Sequence, residues 1–97
     1  MKTVYKYQLR LTDEQEIRIP TLIENDVLVK LSDQVLKIET QRGIPCMWVL
    51  VDSDAEKLPR HVFTRGTGHS CDDRRRDEYL GTYQLDNGNL IFHVFGA

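Results

Sequence analysis

From Ile44 to Asp52 the chain reads Ile-Pro-Cys-Met-Trp-Val-Leu-Val-Asp, a run that is apolar on both faces at strand spacing. Cys46, Trp48 and Leu50 leave one side and Met47, Val49 and Val51 the other, because successive strand side chains alternate. The pattern predicts a central strand covered on both faces, with Trp48 in the core. The flanking patterns are one-sided. In Thr3 to Leu11, Tyr5, Tyr7, Leu9 and Leu11 alternate with Lys6, Gln8 and Arg10, the period of a half-buried strand. Gln15 to Ile19 resumes with Ile17 and Ile19 inward, and Pro20, which lacks a ladder donor, suits a strand end or an edge. Thr12, Asp13 and Glu14 supply turn chemistry between the two runs, which are therefore expected to pair as a hairpin.

Thr21 to Asp33 carries Leu22, Ile23, Val27, Leu28 and Leu31 on one helical face, yet Asp26 to Leu31 also alternates. The expectation is a helical turn followed by an extended stretch. Gln34 to Thr40 holds Val35, Leu36 and Ile38, and a tight turn at Arg42-Gly43 would place Ile38 opposite Met47 and Leu36 opposite Val49. Ser53 to Pro59 reads as a loop or single helical turn, and Arg60 to Arg65 as a short strand about Val62. Gly66 to Asp77 is the longest irregular stretch, in which Ser70 and Asp73 have the spacing of an N-cap for a brief helix. Tyr79 to Leu85 and Asn89 to Phe95 are joined by Asn87-Gly88, the preferred pair for a type I′ turn, which sets Leu85 opposite Leu90 and Tyr83 opposite Phe92. The other face of this hairpin, with Leu80, Ile91 and Phe95 beside Thr82, Gln84 and His93, is partly apolar and is expected to be covered by another element or another subunit. The fold class is all-β and mainly antiparallel: six to seven short strands joined by hairpins, with one or two short helical turns, forming a small sandwich or partly open barrel.

Ninety-seven residues, 40% hydrophobic and 29% charged, make a single domain of ordinary globular composition, residues 1–97. The apolar runs are too short to span a bilayer or to form a signal peptide, so the expected location is cytoplasmic. A net charge of −2 provides no long-range attraction to nucleic acid or to an anionic membrane. The arginine run Arg74-Arg75-Arg76 lies among Asp72, Asp73, Asp77 and Glu78, which reads as a solvated mixed-charge segment, so neither direct DNA binding nor membrane binding is expected. Cys46 and Cys71 lack metal or redox spacing and read as two reduced thiols.

Candidate chemistry concentrates in Gly66-Thr67-Gly68-His69-Ser70. Two glycines let the backbone approach a ligand, and a helix starting at Ser70 would direct free N–H groups at an anion. Phosphate is the ligand this suggests, with the Thr67 and Ser70 hydroxyls, His69 and one of Arg65, Arg74 or Arg75 completing the cradle. The competing reading is a glycine-punctuated turn without a ligand. His61, His69, Cys71 and Asp72 are suitable metal ligands by type, but their spacing is wrong for a site. Asp52, Asp54 and Glu56 lack the glycine and closing glutamate of a calcium loop. Cys71 and His69 have no third group to orient them. No catalytic residue, metal or cofactor is assigned, and an enzyme is not expected.

Val35 to Asp52 with its Gly43-Ile-Pro-Cys-Met-Trp-Val-Leu-Val-Asp52 ending, Gly66-Thr-Gly-His69, Tyr79-Leu-Gly-Thr82 and Leu90-Ile-Phe-His-Val-Phe95 together resemble a family of small uncharacterised proteins carried by tailed phages and prophages. The Tyr-x-Tyr strand near the start and Ile17-Arg-Ile-Pro20 fit the same pattern. Thr21 to Asp33 is longer, and Cys71 to Asp77 more charged, than that pattern. The resemblance implies a phage accessory protein in the host bacterial cytoplasm and no particular activity; small phage proteins often block a host component, so the expectation is a non-enzymatic binding protein that antagonises host defence by sequestering a phosphate-bearing nucleotide signal at Gly66 to Ser70. The alternatives are an inhibitor that occludes a host immune protein, for example a CRISPR effector, by protein–protein contact, and a virion or assembly component. Sequestration by so small a chain further implies a homo-oligomer.

Overall fold

A computed structural model describes all residues, 1–97. In chain order the elements are β1 (Lys2–Gln8), β2 (Glu14–Pro20), β3 (Ile23–Glu24), β4 (Val27–Leu28), the single turn α1 (Leu31–Gln34), β5 (Val35–Gln41), β6 (Ile44–Asp52), β7 (Lys57–Gly66), a 3₁₀ turn (Arg76–Glu78), β8 (Tyr79–Leu85) and β9 (Leu90–Gly96). The fold is mainly antiparallel β. A three-stranded sheet, β1-β6-β5, packs against a four-stranded sheet, β2-β7-β9-β8, and β3-β4 form a separate small hairpin. The sheets do not close into a barrel. No helix is long and apolar enough to cross a membrane.

The core is the space between the sheets. Ile38, Met47, Val49 and Val51 meet Ile19, Val62, Tyr83 and Val94 there, with Leu9 and Leu31 filling the margins. Burying a side chain of this size contributes about 1.5–3 kcal/mol. As expected, β6 is central in its sheet and Ile38 faces Met47. Its two faces differ, however. Met47, Val49 and Val51 are inaccessible, whereas Trp48 and Leu50 on the opposite face are half-buried. Trp48 is therefore not a core residue: the chain supplies two layers, and the indole stands on the outer side of one, with the Lys37 ammonium 6.0 Å from its ring centre.

Three further expectations are corrected. β1 and β2 do not pair with each other; β1 pairs with β6 and β2 with β7. The Arg10–Asp13 connection is a corner between sheets, closed by Gln15, whose Nε2 donates to the Arg10 carbonyl (2.9 Å) while the Arg10 amide donates to Gln15 Oε1 (3.1 Å). In 21–33 the order is reversed. The extended hairpin comes first, turning on Asn25 and Asp26 at φ 53° and 63°, and the helical turn follows. A bulge between Val35 and Lys37 puts Val35, not Leu36, opposite Val49 and leaves Leu36 57% exposed.

The Arg42-Gly43 turn has both residues at positive φ, as a two-residue type I′ turn requires. In the last hairpin Leu85 faces Leu90 and Tyr83 faces Phe92. Its connection is a four-residue 3₁₀-like turn with Asp86 and Asn87 both left-handed, longer than a type I′ pair. A bulge between Tyr79 and Gly81 turns Leu80 inward against the core. The chain covers the outer face of this hairpin only in part: Tyr79 sits edge-on to Phe95 at 5.2 Å, but Tyr79 and Ile91 stay exposed.

Candidate ligand site

β7, β8 and β9 place Thr64, Tyr83, Leu85, Leu90 and Phe92 on the inner face of the four-stranded sheet, toward the end that the three-stranded sheet leaves open. The β1–β2 corner brings Leu11, Thr12 and Asp13 against the same end. Between them is a cavity of about 300 Å³, with Gly66 and His69 on its border. Leu11 and Leu90 at the mouth are exposed, while Thr64 and Tyr83 are 6% and 2% exposed. Tyr83 stacks on Phe92, ring centres 5.3 Å apart.

The polar groups at the buried end are unusual. Thr64 Oγ1 and Tyr83 Oη are shielded from solvent and neither completes a hydrogen bond, whereas buried hydroxyls normally find a partner. Burial raises the Tyr83 pKa above its ordinary value, and the neighbouring Thr64 hydroxyl opposes part of that rise. The two oxygens thus lie near each other without a bond of normal geometry. An apolar-walled space with two underused hydroxyls suits a small molecule with an apolar body and a polar edge.

The residues singled out from sequence are distributed among three places. Gly66 and His69 reach the cavity. The His69 amide donates to the Gly66 carbonyl at 3.0 Å, and the imidazole lies so close over Gly66 that a Cβ there would come within 3.3 Å of it. Thr67 binds the sheet instead: its hydroxyl is 2.8 Å from His93 Nε2, and Tyr79 Oη lies 3.3 Å from His93 Nδ1. Gly68 takes the positive φ of a turn. Ser70 starts no helix, and its Oγ accepts from the Asp72 amide at 3.2 Å. The only helical turn in this stretch is Arg76–Glu78, opened by the Arg75 amide donating to Glu78 Oε1.

The arginines lie on the far side of the sheet. Arg65 donates to the Asp13 and Thr64 carbonyls and to Asp73 Oδ2 at 2.9 Å. Arg74 stacks 3.6 Å above the Phe63 ring and contacts Asp73 and Glu78 at 3.7 and 3.4 Å. Arg75 points away and pairs with Asp77 through two nitrogens. All three guanidiniums face carboxylates of the chain, and the sheet separates them from the cavity. His61 faces Glu14 at 3.5 Å. Both cysteines are free, Cys46 buried and Cys71 partly exposed.

Sequence reading missed Thr64, Tyr83 and the leucines about them as site residues. The alternation Val62, Thr64, Gly66 marks Thr64 as inward-facing, and the last hairpin's register marks Tyr83 and Phe92. What brings Leu11 to them is the corner between sheets, which has no local signature. A family model, Domain of unknown function (DUF7352), matches the chain from residue 1 to residue 97. No curated protein and no solved structure matches it.

Proposed function

Since the chain belongs to the DUF7352 family, a domain family of unknown function, we propose a function from its geometry: non-enzymatic binding of a small molecule in the cavity at the open end of the sandwich. One observation carries the reading, the pair of buried hydroxyls of Thr64 and Tyr83, without bonds of normal geometry, at the inner end of a space walled mainly by Leu85, Leu90 and Phe92 and bordered by Asp13 and His69. A phosphate-bearing nucleotide is the ligand we favour. Its base would lie against Leu85, Leu90 and Phe92 with a polar edge toward the hydroxyls, and its phosphate would extend past His69 along Gly66 to Ser70. The Gly68 and Ser70 amides make no bond within the chain, so both can donate to an anion. The exposed leucines at the mouth suit closure by a second subunit. In a phage-carried protein, such binding would withdraw a nucleotide signal from host defence.

Titration calorimetry with nucleosides and with linear and cyclic nucleotides tests this. The expected result is a saturable heat for at least one of them. Thr64→Val and Tyr83→Phe should each weaken binding about tenfold, the equivalent of ~1.4 kcal/mol, with melting temperatures unchanged or raised, because neither buried hydroxyl has a bond of normal geometry to lose. Absence of heat across the panel, or binding indifferent to both substitutions, overturns the cavity as the site. A stable complex with a host protein in that case would favour occlusion instead.

A further inference from the structure

We infer that the free edge of β1 is a docking strand for an extended, acidic segment of a protein partner, a surface separate from the cavity. β1 is an edge strand with β6 as its sole neighbour, and the two run in register without a bulge from Lys2 opposite Asp52 to Gln8 opposite Cys46. The Leu9 amide donates inward to the Pro45 carbonyl at 2.9 Å. In an antiparallel ladder inward-facing groups recur at every second residue, so Thr3, Tyr5 and Tyr7 are the residues bonded to β6. Val4 and Lys6 therefore turn their amides and carbonyls to the open edge, where no other group of the chain takes them. That row of donors and acceptors has the spacing of another extended backbone, the recognition mode of strand addition. A nucleic acid strand has no matching alternation.

Charge selects the partner. On the outer face of the sheet β1 presents Lys2, Val4, Lys6 and Gln8, all exposed and none acidic. Lys6 donates only to Gln41 Oε1, at 2.8 Å. With Arg42 it borders a shallow depression of about 400 Å³ whose lining, Gln8, Gln41, Ile44 and Cys46 beside the two cations, contains no carboxylate. Lys2 has one loose contact, 3.9 Å to Glu24. Lysines on an edge also discourage a second copy of the chain, since two β1 strands side by side would crowd four ammonium groups onto one face. An incoming strand with carboxylates on this face meets Lys6 and Arg42, neither of which pairs with a carboxylate of the chain.

Trp48 lies directly across from Lys6, and as the single tryptophan it reports on this face by fluorescence. The probes are capped peptides of alternating glutamate and valine, the same peptides with lysine for glutamate, and an oligothymidylate. The glutamate peptide is expected to change Trp48 emission saturably, and raised salt or Lys6→Glu should weaken it about tenfold. Val4→Pro removes an outward amide without touching the ladder to β6, as tolerated at an edge, and should abolish binding at an unchanged melting temperature. Should that variant fail to fold, Lys6→Glu decides by transferring preference to the lysine peptide. Equal binding of both peptides, binding of neither, equal binding of the oligothymidylate, or full binding by folded Val4→Pro overturns the assignment.

Discussion

Gln34 shows how much one polar side chain does in a core this small. It is fully buried, and its Nε2 donates to the carbonyls of Pro20 (3.2 Å) and Leu50 (3.1 Å), which belong to different sheets. Its Oε1 accepts from Arg60 Nη1 at 3.2 Å, a guanidinium whose pKa burial lowers. Gln34→Ala would orphan two carbonyls and a half-buried cation and open a void. The expected loss is about 2–4 kcal/mol in urea unfolding, and Gln34→Met, which restores volume without the bonds, should recover only part of it. Nothing in the pattern around Leu31 to Val35 marks this glutamine as buried, because polar residues are outside by default and its partners come from distant strands. Trp48 errs the other way. Its neighbours read as core, yet it lies on an outer face, since alternation tells which residues share a side but not whether a second layer covers it.

Among the elements, the segment between β7 and β8 departs most from its composition. Seven charges in a row read as a solvated stretch, but Arg74 has a side chain only 16% exposed, laid over Phe63 and held by Asp73 and Glu78. The ring covers the cation and the cation covers the ring, a contact worth about 0.5–2 kcal/mol. Arg74→Ala should release the segment from the sheet. Protease cleavage between Thr67 and Glu78 should accelerate, with about 1–3 kcal/mol lost in global stability through exposure of Phe63. Arg74→Lys, which lacks the planar stack and the fork, should restore less than half of that. Elements with local turn chemistry were legible: Arg42-Gly43 set the β5–β6 register and Asn87-Gly88 the β8–β9 register. The β1–β2 corner was not, because the same Thr-Asp-Glu chemistry serves a hairpin and a change of sheet.

For the whole molecule, two tyrosines at the sheet interface set its response to alkali. Burial raises the Tyr83 pKa, and burial followed by the proximity of Tyr5 raises that of Tyr7. In the unfolded chain both phenols ionise near the ordinary value of about 10. Above that pH the unfolded state releases protons that the folded state retains, so stability is full below pH ~10 and falls as pH rises through the native values. Urea midpoints measured from pH ~8 to ~11 should show this decline, and Tyr83→Phe should flatten it. A midpoint that holds steady to pH ~11 would mean the phenols are not shielded as the structure has them.

The amino-acid pattern alone determined the all-β class, the positions of the longer strands except the start of β7 at Lys57, and the pairing wherever a short turn joins neighbours, because period-two alternation and left-handed turn residues are local properties of the chain. Tertiary structure alone decided that β1 and β2 belong to opposite sheets, that Trp48 stands outside, that the arginines turn to carboxylates behind the sheet, and that Thr64 and Tyr83 share the end of a cavity. Each of these depends on which distant strands pack together. That choice is made by the summed burial of many side chains, no one of which carries it in its own neighbourhood.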